Sequence, residues 1–439
     1  MNTAPARPGT ADPVRLGRNA DFVRLWLSQT LSATGSRVSY LVYPLLVLTI
    51  TGSASAASVV AAVAAFAGVV VRIPAGVLLD RANRRTVMLS SEAVRVVAMA
   101  TAVVAVALNR APLSLIAVVA AIDASGSALF VSAERTILRH IVPLQQVPAA
   151  TARNEARTFT AELLGPALGG ALYGLARTAP FVFNIVAYGV SFVAVLAIRK
   201  PLRAEAHHDQ EGWGTAFASG VRFLAKEPFL RALATVGPLL NMAFTGIMFV
   251  VVVVLHNAGV PPQGIGVSMA TVAVGGIAGA VIAPWMQRAL RPRRLVVGLS
   301  WLSAFMAALC VLLPAGYWVV APLPVLVLLA PATTATLFGH QNAVTPDHLQ
   351  GRVVSTLGLL VTAMNPVAPL LAGILLARWD SSVAFGAFAG IFVIASIIVT
   401  LSRGMRSFET PAATHRNVAA EKVGRGVAAE TANPSVGME

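Results

Sequence analysis

The chain has little charge, few aromatic rings and almost no cysteine for its length. Charged residues make up 12% of its 439 residues, aromatic residues make up 7%, and Cys310 is the only cysteine. So little charge cannot cover the surface of a soluble domain of this size. A single cysteine excludes a disulfide or a cysteine-based metal site within one chain. We expect Cys310 to be a small buried apolar residue.

Two kinds of catalytic motif are also missing. The chain contains no G-x-x-x-x-G-K-[ST] loop, which argues against an ATP-driven pump. Its seven histidines are scattered, and none has a catalytic spacing to an acid, so a membrane acyl- or glycosyltransferase is disfavoured. We therefore expect no enzymatic activity, no cofactor and no metal site. A transporter-derived receptor remains a minor alternative.

Apolar sequence is what the chain has in excess. Hydrophobic residues make up 56% of it, and the mean hydropathy is +0.75. Apolar runs of about 20 residues recur, each long enough to cross the ~30 Å hydrocarbon core as a helix that satisfies its own backbone. We predict an all-α polytopic membrane protein. The twelve predicted spans are residues 25–49, 56–79, 86–108, 112–134, 154–176, 180–198, 231–255, 265–287, 295–313, 318–339, 354–377 and 383–402.

The spans divide into two halves that resemble each other. Pro166 and Pro366 each fall in the fifth span of their half, and Arg291-Pro292-Arg293-Arg294 follows the eighth span as a basic loop follows the second. This pattern predicts two six-helix bundles related by a pseudo-twofold axis along the membrane normal. The predicted divisions are an N-terminal tail (1–24), a first bundle (25–198), a linker (199–230), a second bundle (231–403) and a disordered tail (404–439).

The basic residues predict the orientation. If the N-terminus is inside, the only Lys or Arg residues in the predicted outer loops are Arg110, Arg177 and Arg378. Lys and Arg are retained in cytoplasmic loops, so we expect both termini to be cytoplasmic. The formal net charge of +15 then reports topology, and we expect the bilayer as a partner and no nucleic acid.

Two motifs carry a family resemblance. The segment Gly76-Val77-Leu78-Leu79-Asp80-Arg81-Ala82-Asn83-Arg84-Arg85 resembles the G-x-L-a-D-R-x-G-R-R motif between helices 2 and 3 of the major facilitator superfamily. Asn83 replaces a glycine, and asparagine is the other residue that best adopts a left-handed backbone. The segment Gly165-Pro166-Ala167-Leu168-Gly169-Gly170 resembles the helix-5 motif of the family's exporters, with Ala161 in place of its first glycine.

A narrower resemblance is to the branch of bacterial siderophore and macrolide exporters. It rests on residues 19–26, Asn154 and residues 351–355. That branch often has an aspartate after the helix-1 glycine, whereas here Ser36 and Arg37 follow Gly35. The resemblance implies a monomeric secondary transporter in the bacterial inner membrane that exports a small organic molecule in exchange for protons. An importer of a small solute in the same fold is the alternative.

The resemblance also implies roles for the two motifs. Asp80 would latch the inner end of the second helix to the other half, held by arginines of the same loop. The alternative is that the loop only anchors the inner interface. In the helix-5 motif the small residues could pack helices closely, seal the path against proton leak, or do both. The implied gating residues are Gly76, Asp80, Arg81, Arg84 and Arg85, and the implied exporter residues are Gly165, Pro166, Gly169 and Gly170.

Five ionisable residues lie deep within the first-half spans, where each costs a few kcal/mol unless it is paired or faces water. Asp123 is the first candidate for a protonatable group, and a static pair with Arg37 or Arg95 is the alternative. Glu162 is the second candidate. The arginines, which include Arg72, could contact an anionic cargo or neutralise these acids. Three polar residues of the second half could line its side of a cavity, or they could serve packing alone: Asn241, Asn342 and Asn365.

Overall fold

The computed structural model describes residues 20–141, 146–198 and 213–406, which form helices and connecting turns. The first half has six helices: α1 (Ala20–Thr51), α2 (Ala54–Arg81), α3 (Arg84–Ala107), α4 (Leu113–Ile141), α5 (Val147–Leu175) and α6 (Ala179–Leu196). The linker contains α7 (Trp213–Lys226). The second half has α8 (Pro228–Asn257), α9 (Pro262–Ala289), α10 (Pro292–Leu312), a 3₁₀ turn (Tyr317–Val320), α11 (Leu323–Val344), α12 (Asp347–Ala363), α13 (Val367–Arg378), α14 (Ser381–Leu401) and α15 (Arg403–Arg406).

The prediction of an all-α polytopic membrane protein is confirmed. In the described part of the chain, 11 helical segments are long and apolar enough to cross a membrane. Helix α5 lies where the fifth span is predicted but is not among the 11. Its first half carries charged residues such as Arg153 and Arg157. With α5 the layout has six spans in each half.

The two halves repeat the same packing scheme. In the first half α2 packs on α4, α3 on α6, and α1 on both α5 and α6; in the second half α9 packs on α11, α10 on α14, and α8 on both α13 and α14. The turns repeat as well. Gly52 and Gly259 have left-handed backbones after the first helix of each half, and Asn109 and Gly316 have them after the third. Equal numbers of residues separate the two members of each pair, as parallel repeats require.

The two bundles meet at one end of the molecule. We call the end with Gly52 and Gly259 the contact end, and the end with the loops at 82–83 and 290–291 the basic end. Near the contact end, α5 packs on α9 and α2 packs on α13. One hydrophobic core there includes residues of both bundles. Toward the basic end the core divides, with Phe130 in a cluster of first-half residues and Leu230 in a cluster of second-half residues.

A cleft between the bundles opens toward the basic end. Residues 41–48 of α1 and residues 246–255 of α8 are entirely buried, and both segments lie near the contact end. Before this closed level, α1 has exposed residues that include Val23, Leu27 and Tyr40. Residues 237–242 of α8 are partly exposed in the same way. Both central helices therefore line a cleft that ends near Tyr40.

Two predicted elements differ from the observed ones. The eleventh span is two helices, because the chain turns at residues 364–366, where Asn365 N donates to the Thr362 carbonyl and Pro366 has no N–H to donate. Pro166, its counterpart, lies inside a continuous α5. The tenth span begins as a 3₁₀ turn. The predicted tails fall largely on residues 1–19 and 407–439, and much of the linker on 199–212, all outside the described residues.

Candidate functional site

A cluster of charged residues lies buried in the middle of the first bundle. Its centre is Arg95 of α3, whose side chain has no solvent exposure. The Nε atom donates to Oδ1 of Asp123 on α4 at 2.8 Å. The two Nη atoms donate to the hydroxyls of Ser32 and Ser36 on α1, at 2.7 and 2.6 Å. The guanidinium also stacks on the ring of Tyr188, with Cζ 3.6 Å from the centroid, in a cation–π contact.

Asp123 accepts hydrogen bonds from three side chains. Besides Arg95, the hydroxyl of Tyr188 on α6 donates to Oδ1 at 3.1 Å, and that of Tyr43 on α1 donates to Oδ2 at 3.3 Å. The carboxyl group is therefore linked to α1, α3 and α6 at once. Any change in its charge would alter the packing of all three helices.

Glu92 is a second acid in the same cluster, and the sequence analysis missed it. Its Oε1 lies 3.5 Å from Nη1 of Arg95 and accepts from Ser191 Oγ at 3.2 Å. Its Oε2 is buried and has no hydrogen-bond partner in the described part of the chain. The signal was available, since Glu92 precedes Arg95 by three residues and so shares its helix face. With all groups ionised, two carboxylates face one guanidinium.

The cluster depends on a close approach between α3 and α4. A Cβ on Gly126 of α4 would lie 2.7 Å from Cγ and Cδ of Arg95. Only a glycine leaves room for the arginine stem at this point. The two helices can therefore bring Arg95 beside Asp123 without displacing the stem.

A second ion pair, between Arg37 of α1 and Glu162 of α5, lies at the cleft. Arg37 Nη2 donates to Glu162 Oε1 at 2.5 Å, and the two side chains are 43% and 38% exposed. Tyr40, one turn further along α1, is 56% exposed. This pair stays accessible from the cleft, unlike the buried cluster. The structure thus separates the five predicted charges: Arg95 pairs with Asp123, Arg37 pairs with Glu162, and Arg72 is exposed on α2.

A third pair was also missed by the sequence analysis. Arg157 of α5 donates to Glu134 of α4 at 3.0 Å and to Gln29 of α1 at 2.9 Å, and both charged residues are less than a tenth exposed. Its members lie near the ends of predicted spans, where charge attracts little notice. These contacts tie α1, α4 and α5 together.

Part of the gating motif can be described. Asn83 has a φ of −66° and caps α3, with Oδ1 accepting from Arg85 N at 3.0 Å. Asn83 therefore does not use the left-handed backbone that asparagine can adopt, because it serves as an N-cap, which has extended geometry. Arg85 donates to the carbonyl of Leu196 at the end of α6, and Arg84 also has an interaction partner. The side chains of Gly76, Asp80 and Arg81 lie outside what the structure describes, so the latch stays a prediction.

The glycines of the exporter motif permit close contacts in two directions. A Cβ on Gly165 would lie 2.3 Å from Cβ of Arg37, and one on Gly169 would lie 3.3 Å from the Val38 carbonyl oxygen. A Cβ on Gly170 would meet α9 of the other bundle, 2.4 Å from the Pro262 oxygen. Pro166 has its carbonyl oxygen beside Gly266 of α9. The motif thus packs α5 against α1 and, near the contact end, against α9.

The three asparagines of the second half have different surroundings. Asn241 is partly exposed on α8, four residues before Thr245 and the fully buried segment. Asn365 lies at the break between α12 and α13, and its Oδ1 is buried without a hydrogen-bond partner in the described chain. Asn342 is exposed near the end of α11 at the basic end, and Gln350 donates to its carbonyl. Asn241 and Asn365 therefore lie within their membrane spans, whereas Asn342 lies near the end of its span.

Comparison with known proteins gives a family model and several relatives. The model described as Major Facilitator Superfamily matches residues 25–365. A protein named multidrug efflux pump Tap from Mycobacterium tuberculosis (strain ATCC 25618 / H37Rv) is 26% identical over 362 residues, covering 78% of this chain and 84% of the relative. A protein of the same name from Mycolicibacterium fortuitum is 25% identical over 361 residues, covering 78% and 86%.

Solved structures show the same fold at low sequence identity. The crystal structure of the nucleoside transporter NupG has a TM-score of 0.69 at 11% identity, covering 87% of this chain and 99% of that chain. A bacterial homolog of the human lysosomal transporter Spinster also has a TM-score of 0.69, at 15% identity, covering 92% and 100%. Both structures are of transporters, and the likeness supports the two-bundle architecture.

Proposed function

We propose that this chain, which belongs to the Major Facilitator Superfamily, is a proton-coupled exporter of small organic molecules in the bacterial cell membrane. The names of the curated relatives support export. The proposed partners are its cargo, protons and the surrounding lipid, and we propose that it works as a monomer. Import of a small solute in the same fold is the second candidate, because the architecture serves both directions.

The observation that carries the proposal is the unequal charge of the buried cluster. In the described part of the chain, Arg95 is the only cation that pairs with Glu92 and Asp123, and its side chain is fully buried. An uncompensated buried charge is strongly unfavourable. One proton shared between the two carboxyl groups makes the cluster neutral, and its release makes the cluster anionic. Such a group can bind and release a proton as the helices around it move.

Coupling to cargo would pass through α1 and α5. Arg95 is bonded to Ser32 and Ser36 of α1, and the same helix carries Arg37 in the cleft. Cargo that competes for Arg37 or Glu162 would shift α1 against α5, and that shift would change the hydrogen bonds that hold the cluster. Binding at one site and proton affinity at the other are then linked through differential contacts in the two states.

The cleft supplies surfaces suited to an amphipathic cargo. On the first-bundle side stand Arg37, Glu162 and the exposed ring of Tyr40. On the second-bundle side we propose Asn241 and Asn365 as hydrogen-bonding groups. A cargo with one ionisable group and an apolar body would use both sides. One proton moving inward across a potential of ~100 mV supplies ~2.3 kcal/mol for its export.

The basic end is proposed to face the cytoplasm, because Lys and Arg are retained on that side. The described conformation is then open inward and closed at the contact end. When the basic end closes, the predicted latch between Asp80 and the second bundle would form. The proposed cycle alternates between these two closures around one central site.

Everted membrane vesicles test the proposal and its rival. Vesicles from a bacterial host without its own multidrug exporters are acidified by respiration, and a pH-sensitive dye reports the luminal pH. The probes are ethidium, a macrolide and a siderophore, each added outside. Export predicts that a transported probe enters the lumen and raises its pH only when the protein is present. Probe that instead leaves preloaded vesicles together with protons would favour the importer.

A further inference from the structure

A second site lies away from the central cleft, where the last helices meet the start of the second bundle. A pocket of about 370 Å³ is formed at the basic end between α8 and the α14–α15 corner. Arg231 of α8 and Arg403 of α15 both line it, as do Pro228 and Ile398. Nothing in the proposed transport cycle uses this pocket.

A tight chain reversal builds the pocket. Helix α14 ends at Leu401, Ser402 N donates to the Ile398 carbonyl, and the short α15 folds back onto α8. A Cβ on Gly404 would lie 2.2 Å from the Pro228 carbonyl oxygen, so only glycine permits this approach. Met405 is buried beside it. The reversal therefore holds Arg403 next to the first turns of α8, which carry Arg231.

The two guanidiniums have no described partner. Arg231 and Arg403 are both exposed, and neither forms a hydrogen bond or ion pair through its side chain within residues 20–141, 146–198 and 213–406. Glu227 is the neighbouring acid, yet it forms no ion pair in that part of the chain, and its side chain does not cap α8. The first N–H groups of α8 add further positive potential. The pocket therefore favours an anion.

The position of the pocket indicates what kind of anion. The exposed apolar residues Ile394, Ile397 and Leu401, which are 52%, 41% and 60% exposed, run along α14 up to the corner. In a multi-pass membrane protein such a stripe contacts lipid tails. The stripe ends where the span ends, so the arginines stand at headgroup depth with an apolar wall below them. A phosphate attached to acyl chains fits this arrangement better than a free anion.

We propose that this pocket binds the phosphate of an anionic phospholipid, with Arg231 and Arg403 as its ligands. Basic pockets between spanning helices on the side rich in anionic lipid bind such headgroups, and arginine presents paired N–H donors to phosphate oxygens. The bound lipid would tie α14 and α15 to α8, one of the two helices that line the central cleft. The assignment does not rest on the direction or cargo of transport.

Lipid retention in native mass spectrometry tests the site. The purified full chain is titrated with phosphatidylglycerol and, separately, phosphatidylcholine. We expect selective retention of phosphatidylglycerol, weakened by at least about tenfold in Arg231→Gln/Arg403→Gln, because each arginine near an anionic lipid contributes ~1 kcal/mol. The matched control is Arg291→Gln/Arg294→Gln, which removes the same charge from the exposed start of α10 at the same end.

The outcomes separate the possible explanations. The double variant Arg231→Lys/Arg403→Lys keeps the charge and should retain more lipid than the glutamine variant, which guards against a mere folding defect. Selectivity that survives in the glutamine variant, or that falls equally in the control, would overturn the site. Release of the lipid by millimolar inorganic phosphate would assign the pocket to a free anion and would also overturn the proposal.

Discussion

Among single residues, Glu92, Asp123 and Arg95 set the charge of the buried cluster. Asp123 and Arg95 stand out in the sequence because charge inside a span is expensive, and a static pair of the two is one of the predicted alternatives. Glu92 was overlooked because it lies near the start of α3, close to the basic loop. Its depth depends on how α3 packs against α1 and α6, which hydropathy does not determine. That two acids share one arginine therefore could not be predicted from the sequence.

The close approach at Gly126 can be tested by adding a single methyl group. Gly126→Ala would place a methyl group 2.7 Å from the Arg95 stem, and overpacking of this kind costs ~1–3 kcal/mol. We expect a lower unfolding temperature in detergent. The matched control is Gly189→Ala on α6, where nothing lies within 4 Å of the added Cβ. Its unfolding temperature should stay the same or rise, since alanine favours helix. Equal unfolding temperatures for the two variants would contradict the packing described at Gly126.

At the level of helices, the apolar runs predict the spans, but they predict the eleventh as one segment, whereas the structure divides it into α12 and α13. Pro166 and Pro366 look alike in sequence, yet α5 continues through the first and the eleventh span breaks at the second. The difference lies in the neighbours. Gly165 and Gly169 let α5 lie directly against α1, whereas the chain before Pro366 turns through Asn365. Long-range packing of this kind is not encoded locally.

Substitutions at the Glu134–Arg157 ion pair test how much a buried charge pair contributes to holding the helices together. Glu134→Gln leaves the arginine buried without its charge partner, and breaking one side of a buried pair costs ~3–5 kcal/mol. Removing both charges, in Glu134→Gln/Arg157→Met, should cost less than the single substitution. Thermal unfolding of the two variants in detergent measures this order. A double variant that is less stable than the single one would show that the pair itself, and not the orphaned charge, dominates.

Across the whole molecule, packing between α5 and α9 holds the two bundles together at the contact end. Gly170 of α5 lies against Pro262 and Gly266 of α9, so Gly170→Ala should loosen the contact end. Spin labels at Arg110→Cys and Trp318→Cys, on a Cys310→Ala background, report the separation of that end. We expect a population with longer distances in the variant. Gly189→Ala serves again as the control, and identical distance distributions for all three proteins would remove Gly170 from the closure.

The family and the two-bundle layout were predictable because hydropathy, repeat spacing and two motifs all survive in the sequence. The end toward which the cleft opens could not be predicted from the sequence, because it depends on which ends of the two bundles touch. The latch at Asp80 is still a prediction. The division of the charges into one buried cluster and one accessible pair is the main addition from the structure, and it separates the residues that we propose for the proton from those that we propose for the cargo.

Gradient-driven transport by the Asp123→Asn variant shows whether the buried cluster couples transport to protons. In this variant Glu92 and Arg95 form a balanced pair, so the cluster no longer needs a proton. In proteoliposomes, with ethidium or whichever probe the wild-type protein carries, we predict that a pH gradient no longer drives accumulation, while exchange of labelled for unlabelled probe continues. Glu92→Gln should behave in the same way. Accumulation at the wild-type level in both variants would contradict the account.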